Sequence, residues 1–165
     1  MTELNFRIEP QTSDDLAAIQ RLSERVFGPG RFARTAYRIR ETAASDPKLS
    51  FVARVGSLLV GSNEMTAITI GQTPAFLLGP LVVEPVFRSQ GIGEALVHHT
   101  LNAAAASGAK LTILVGDEPF YSRMGFAPAP KGKIQFPGPV DTARILFFEH
   151  EPGVMAGASG VVRGA

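Results

Sequence analysis

Apolar and polar positions repeat with different periods along the chain, and the changes of period divide it into elements. Residues 5–8 alternate and predict a first short strand. Thr12, Ser13, Asp14 and Asp15 offer cap side chains ahead of Leu16, Ile19, Leu22, Val26 and Phe27, whose spacing is that of one helix face. Gly28, Pro29 and Gly30 end that helix, and a second helical stretch covers 32–44, closed by Asp46 and Pro47. Residues 49–55 and 57–70 read as two strands of a tight hairpin at Gly56, with Gly61 marking a bulge. Thr73 and Pro74 then turn the chain into 77–83, LLGPLVV, a continuously apolar run that predicts a buried strand.

A loop at 88–93 separates this strand from a helix that runs to Ala106, where Ser107 and Gly108 supply a glycine C-cap. Residues 110–115 are a short apolar strand, so the strand-helix-strand unit predicts a right-handed parallel crossover. Together with the meander before it, this makes a mixed sheet with the parallel pair at its centre. Further on, 120–124 predicts a short helix ended by Gly125, and the proline-bearing segment 126–139 reads as a loop with a short strand near 134–136. A last strand covers 144–149. The glycine-rich end, 153–165, predicts a flexible tail.

Composition narrows the partners more than it changes this picture. At 165 residues the chain is expected to be a single domain, 1–165, burying about two-thirds of its unfolded surface. Sixteen basic against 15 acidic residues give a formal charge of +1, which argues against general affinity for nucleic acid or an anionic membrane. The absence of cysteine excludes disulfides, thiolate metal sites and a cysteine nucleophile. No apolar run reaches the length of a membrane span and the start, MTELNFRIEP, lacks a signal-peptide core, so a cytoplasmic protein, monomer or homodimer, is the expectation.

Candidate chemistry gathers around 77–93. Gly79 and Pro80 interrupt the buried strand, since proline removes a ladder donor and glycine permits a bulge. If the strand diverges there from 111–115, backbone groups of residues 81–83 face a cleft that an extended amide-bearing ligand could fill; a bulge without ligand is the other reading. The loop Arg88-Ser89-Gln90-Gly91-Ile92-Gly93 follows directly, and its glycines let backbone N–H groups converge at a helix N-terminus, an anion site best suited to phosphate. A Walker A string is absent, and Gly91-Ile92-Gly93-Glu94-Ala95-Leu96 has leucine where a dinucleotide fingerprint needs its third glycine. The arginines at 31, 34, 38 and 40 read as a solvated helix face rather than an anion site.

VVEPVFRSQGIGEAL resembles motif A of the GNAT superfamily of N-acetyltransferases, with Arg88, Gly91 and Gly93 on the fixed positions of Q/R-x-x-G-x-G/A, and FYSRMGF resembles the family's later Y-x-x-x-GF segment. GDEPFYSRMGF is similar to the YhbS-like group. The resemblance implies an α/β (α+β) fold with a mixed sheet of about six to seven strands, helices on both faces and a splayed central parallel pair. It implies acetyl-CoA as co-substrate, with Leu81 and Val83 bonding the pantetheine arm, Val82 or Val83 offering an oxyanion N–H, and Arg88, Ser89, Gln90, Gly91, Ile92 and Gly93 holding the pyrophosphate. It further implies Tyr121 as the acid that protonates the departing thiolate, in direct transfer to a primary amine of a small molecule or peptide.

A phenol with pKa near 10 and a thiolate near 8.5 can share a proton, although a tyrosine on a short helix can equally be a packing residue. An amine acceptor needs a base, and the strand 77–83 carries no carboxylate. Glu64 on the preceding strand is the candidate, with Glu84 and Asp117 behind it; each also reads as a surface or capping carboxylate. His98, His99 and His150 have no metal-ligand spacing, so no metal is expected. Two alternatives remain: a catalytically silent acyl-CoA sensor of the same fold, and an acyltransferase using a longer acyl-CoA.

Overall fold

The computed structural model describes residues 5–28 and 35–165. Strand β1 (Arg7–Pro10) leads through a short 3-10 turn into helix α1 (Leu16–Phe27), then α2 (Thr35–Thr42). The cap residues predicted ahead of α1 pair instead around the 3-10 turn, where the Thr12 N–H donates to the Asp15 carboxylate at 3.0 Å and the Thr12 hydroxyl donates to the same oxygen; Asp15, the N-cap of α1, makes no side-chain cap bond to the helix. The predicted stop at Pro29 and Gly30, the helix start at 32, and Arg31 and Arg34 lie outside the described residues.

Strands β2 (Phe51–Val55), β3 (Leu58–Ile70) and β4 (Thr73–Val83) form the expected antiparallel meander, with Gly56 at φ 61° in the first turn. The β2–β3 register shifts beside Gly61, where a bulge was predicted. Helix α3 (Ile92–Ala106) ends as its sequence requires: Ala109 N–H bonds Ala104 C=O and Gly108 N–H bonds Ala105 C=O, with Gly108 at φ 90°. Strand β5 (Leu111–Val115), helix α4 (Glu118–Ser122), the short strands β6 (Ala127–Pro128) and β7 (Ile134–Gln135), and strand β8 (Ile145–Glu149) follow.

Seven strands run in the order β1-β2-β3-β4-β5-β8-β6, and β4 and β5 are parallel neighbours at the centre. The glycine-rich end departs from its prediction. Instead of a loose tail it forms the short helix α5 (Val154–Gly157) and strand β9 (Gly160–Gly164), which pairs with the far end of β3 and with β7. Apolar residues between the glycines explain this: Met155, Ala158 and Val162 are buried in one cluster with Ile39, Ile70 and Ile134. Lys133 Nζ also donates to the Met155 carbonyl at 3.0 Å.

The sheet has a core on each face. Val97, Leu101 and Ala104 of α3 pack against Met65, Leu78 and Leu114 on one side. Ile19 and Leu22 of α1 pack against Val52, Leu59 and Val82 on the other. One buried polar pair fixes α3 over β3: Asn63 Nδ2 donates to Thr100 Oγ1 at 2.9 Å, an interaction of about 1 kcal/mol net.

Candidate functional site

The central strands part where Gly79 and Pro80 predict it. Pairing of β4 with β5 covers Phe76 and Leu77, and on the other side the β3–β4 register skips Glu64 against Gly79 and Pro80. Beyond the kink β4 stays paired with β3. Glu84 N–H donates to Val60 C=O at 2.7 Å, and the register continues through Val83↔Gly61, Val82↔Ser62 and Leu81↔Asn63. In an antiparallel ladder, hydrogen-bonded pairs alternate, so Val82 turns its N–H and C=O towards Ser62. Leu81 and Val83 therefore turn theirs away from β3, into the opening left by β5. Val82 borders the same groove but uses its backbone in the ladder and buries its side chain under α1, so the choice between Val82 and Val83 as an outward N–H falls on Val83.

A groove of about 630 Å³ runs from Leu81 and Val83 past Phe87, Arg88, Ser89, Gly91, Ile92 and Gly93. Gly91 caps α3 at φ 86°, and the first helical bond is Ala95 N–H to Gly91 C=O at 3.0 Å. The N–H groups of Ile92, Gly93 and Glu94 thus have no partner within the helix, and no side chain caps them. Ser89 also adopts a positive φ, 64°, which tightens the loop ahead of the helix. Gly93 has a packing reason as well: a Cβ there would lie 3.3 Å from the Phe120 ring and 3.8 Å from Leu81 and Val83. Gln90 is exposed and is not among the lining residues. Arg123, unremarked in the sequence, stands at the rim, paired with Glu94 at 2.7 Å and stacked over Phe120 at 5.4 Å.

Leu81, Phe27 and Phe120 are shared with a second cavity of about 530 Å³, reached from the other end of the opening. Its wall carries Tyr121, Gly116, Asp117, Arg40 and the loop 139–141. Tyr121 packs edge-on against Phe120 and Phe126, with centroids 4.9 and 5.7 Å away. Gly116 makes room for the ring, since a Cβ would fall 2.6 Å from Tyr121 Cε2. Burial, with help from the Asp117 charge, pushes the Tyr121 phenol up to about 12, so it keeps its proton near neutral pH.

A smaller cavity of about 230 Å³ opens across Pro80 and shares Phe27 and Arg40 with the second. Glu64 lines it. Burial raises the Glu64 carboxyl above the ordinary range, against the opposing effects of a Ser45 hydrogen bond and the Arg40 charge. The two reserve carboxylates are placed differently. Glu84 pairs with Arg25 at 2.6 Å, and Asp117 lies exposed with Arg144 at 3.6 Å; both stand at N-cap positions without a side-chain cap bond.

Arg40 corrects the reading of its helix as a solvated face. Arg38 is exposed, but Arg40 shares the inward side with Thr35, Ala36 and Ile39 and points its Nη2 at the Leu78 carbonyl, 3.5 Å away. The spacing 35, 36, 39, 40 carried that signal. His99 bonds the Ala95 carbonyl and His150 bonds Thr112 Oγ1, both at 2.9 Å, and the described residues contain no cluster suited to a metal. No helix among them is long and apolar enough to cross a membrane.

The fold recurs in known proteins. YhbS of Escherichia coli, a GNAT family N-acetyltransferase crystallised with CoA, superimposes with a TM-score of 0.81 at 21% identity, over 100% of this chain and 92% of its own. A GNAT family acetyltransferase of Brucella melitensis, crystallised with acetyl-CoA, gives a TM-score of 0.71 at 21% identity over 99% and 97%. In sequence, the uncharacterized N-acetyltransferase YjhQ of E. coli K12 is 27% identical over 143 residues, 84% of this chain and 78% of that protein. The acetyltransferase (GNAT) domain family matches residues 46–128, half of the chain, from the segment before β2 to β6. The chain therefore belongs to the GNAT acetyltransferase family.

Proposed function

We propose that this acetyltransferase moves the acetyl group of acetyl-CoA to a primary amine by direct attack in a ternary complex. The observation that carries the reading is the continuity of the outward-facing backbone of Leu81 and Val83 with the uncapped N-terminus of α3. An amide-bearing arm can bond the strand edge while a pyrophosphate lies on the N–H groups of 91–94. Coenzyme A joins those two chemistries in one molecule. The CoA and acetyl-CoA found in the E. coli and Brucella relatives support the same donor.

In this reading the thioester lies at the kink, between Leu81 and Tyr121. An ammonium acceptor first gives a proton to Glu64, whose raised pKa makes it a stronger base near neutrality than an ordinary carboxylate. The nitrogen lone pair then attacks the carbonyl carbon, and an outward N–H of β4, that of Leu81 or Val83, stabilises the oxyanion. The oxyanion then re-forms the carbonyl as the C–S bond breaks, the C–S electron pair stays on sulfur, and the second nitrogen proton ends on the thiol. Tyr121, protonated throughout, hydrogen-bonds to the departing sulfur.

Incubation with acetyl-CoA and a panel of amines, peptides and amino acids, followed by free-thiol release and mass spectrometry, tests this reading. An acylated amine with stoichiometric thiol is expected. Tight acetyl-CoA binding by calorimetry with no acylated acceptor would favour a sensor of the same fold, and preference for a longer acyl-CoA would change the donor alone.

A further inference from the structure

The 230 Å³ cavity holds a charge pattern that the transfer reaction by itself does not require. Its described lining includes one cation, Arg40, and one carboxylate, Glu64; Gln20, Ser23, Tyr37 and Pro80 are among the uncharged remainder. The volume is below the usual span of ligand pockets, about 300–1,000 Å³, so it suits one small molecule or the head of one.

Arg40 is held at the junction by its backbone surroundings. Its Nη2 lies 3.5 Å from the Leu78 carbonyl and 2.9 Å from where a Gly79 Cβ would stand, so the guanidinium tip sits against the open side of the kink, whose φ of 115° at residue 79 itself favours glycine. From there it borders both the small cavity and the one containing Tyr121, and its charge acts on the Glu64 carboxyl and the Tyr121 phenol alike.

We propose that the acceptor is a small zwitterion, a primary amine with a carboxylate one or two carbons away, whose carboxylate binds Arg40 while its ammonium faces Glu64. This rests on the acetyl-transfer reading and names the substrate class within it. The guanidinium fork matches a carboxylate, and a short carbon chain sets the nitrogen beside the anchored group, next to both the base and the kink where the thioester would lie. A polyamine would bring a second cation against Arg40. A peptide N-terminus would offer it an amide where a carboxylate is wanted. Only the amino acid complements both charges.

Matched acceptors test this: free α- and β-amino acids, the same compounds as primary amides, and the decarboxylated amines, each assayed with acetyl-CoA by thiol release and product mass. A kcat/KM at least about tenfold higher for the acid than for its amide is expected, because the amide forfeits the charge-assisted, bidentate contact with the guanidinium. Arg40→Gln should bring the acid-to-amide ratio close to one through KM, and Arg40→Lys should restore part of it. Acetyl-CoA affinity by calorimetry and the circular dichroism melt serve as controls for the groove and the fold. Equal rates on acid and amide, or discrimination retained in Arg40→Gln, would overturn the zwitterion. Acylation of peptides or polyamines with no amino acid modified would overturn it while leaving acetyl transfer standing. Absence of any acylated product in wild type that binds acetyl-CoA would remove both.

Discussion

The groove assigned to the donor and the cavity assigned to the acceptor meet at Phe27, yet they are made of different material. The groove is largely backbone from one run of chain, 81–93: strand-edge groups of Leu81 and Val83, then helix N–H groups after Gly91. The acceptor cavity is side chains from separate elements, with Gln20 and Ser23 on α1, Tyr37 and Arg40 on α2, and Glu64 on β3. A backbone site is specified by where side chains are absent or constrained. A side-chain site depends on which residues the fold brings together. The groove can therefore serve one fixed ligand while the cavity changes its substrate through single substitutions.

The sharpest way to break this contrast is to put a side chain into the backbone site. Gly91 sits at φ 86° in open space, so Gly91→Asp meets no protein atom but strains the cap and places a negative charge at the phosphate position. Acetyl-CoA affinity by calorimetry is expected to fall by about a hundredfold or more, close to the loss of one or two charge-assisted contacts. Unchanged affinity would place the coenzyme elsewhere.

On the acceptor side the counterpart is Glu64→Gln. Removing a general base costs about a hundredfold or more in kcat, and acetyl-CoA affinity should stay as it was. The pH dependence sharpens it. Wild-type kcat/KM should rise with pH through the Glu64 pKa, above 4.5, and that limb should vanish in the variant. Stability should move the other way. A carboxyl whose folded-state pKa is raised binds more protons when folded, so wild type loses stability as pH rises from about 4.5 to the folded value, and the amide should melt higher at neutral pH.

This contrast also explains what could be read in advance. The glycines at 91 and 93 and the Gly79-Pro80 kink lie close in sequence and obey local rules, and the splay of β4 from β5 follows the kink, whereas the Tyr121 segment was legible through its family resemblance. Arg40 and the small cavity could not be read in the same way, because nothing local relates residue 40 to residues 64 and 79. The tail failed for a different reason. Glycine content suggested disorder, while Met155, Ala158 and Val162 had a buried cluster waiting that only the folded sheet creates. Gly116 likewise has meaning only through the Tyr121 ring it admits.

Tyr121→Phe should have a smaller effect than Glu64→Gln. With its phenol near 12, full proton transfer to a thiolate near 8.5 is unfavourable, so in the proposed mechanism the residue acts through a hydrogen bond to the leaving sulfur. A loss of about tenfold in kcat, with acetyl-CoA affinity retained, is expected in steady-state kinetics. The alkaline side of the wild-type profile should carry no limb from this phenol below about pH 11, given its pKa near 12. A loss as large as that of Glu64→Gln would instead make the phenol the proton source.

The smallest effect tests the element that both regions share. Helix α1 ends at Phe27, which borders all three cavities, and its other end is held by Asp15, which receives the Thr12 N–H and the Arg54 guanidinium. Burial works to raise the Asp15 carboxyl, but the Thr12 and Arg54 bonds outweigh it and hold it below 3.8. A depressed carboxyl stabilises the fold above its unfolded pKa, and that contribution is lost as pH falls through the folded value. Asp15→Asn should therefore lower stability by about 1–2 kcal/mol at neutral pH in urea titrations, and the difference from wild type should close below pH 3.8. Because α1 walls both sites, any change in KM should fall on both substrates together. A change confined to the acceptor would mean that α1 belongs to the side-chain site alone, and the backbone groove would then stand on β4 and α3 without it.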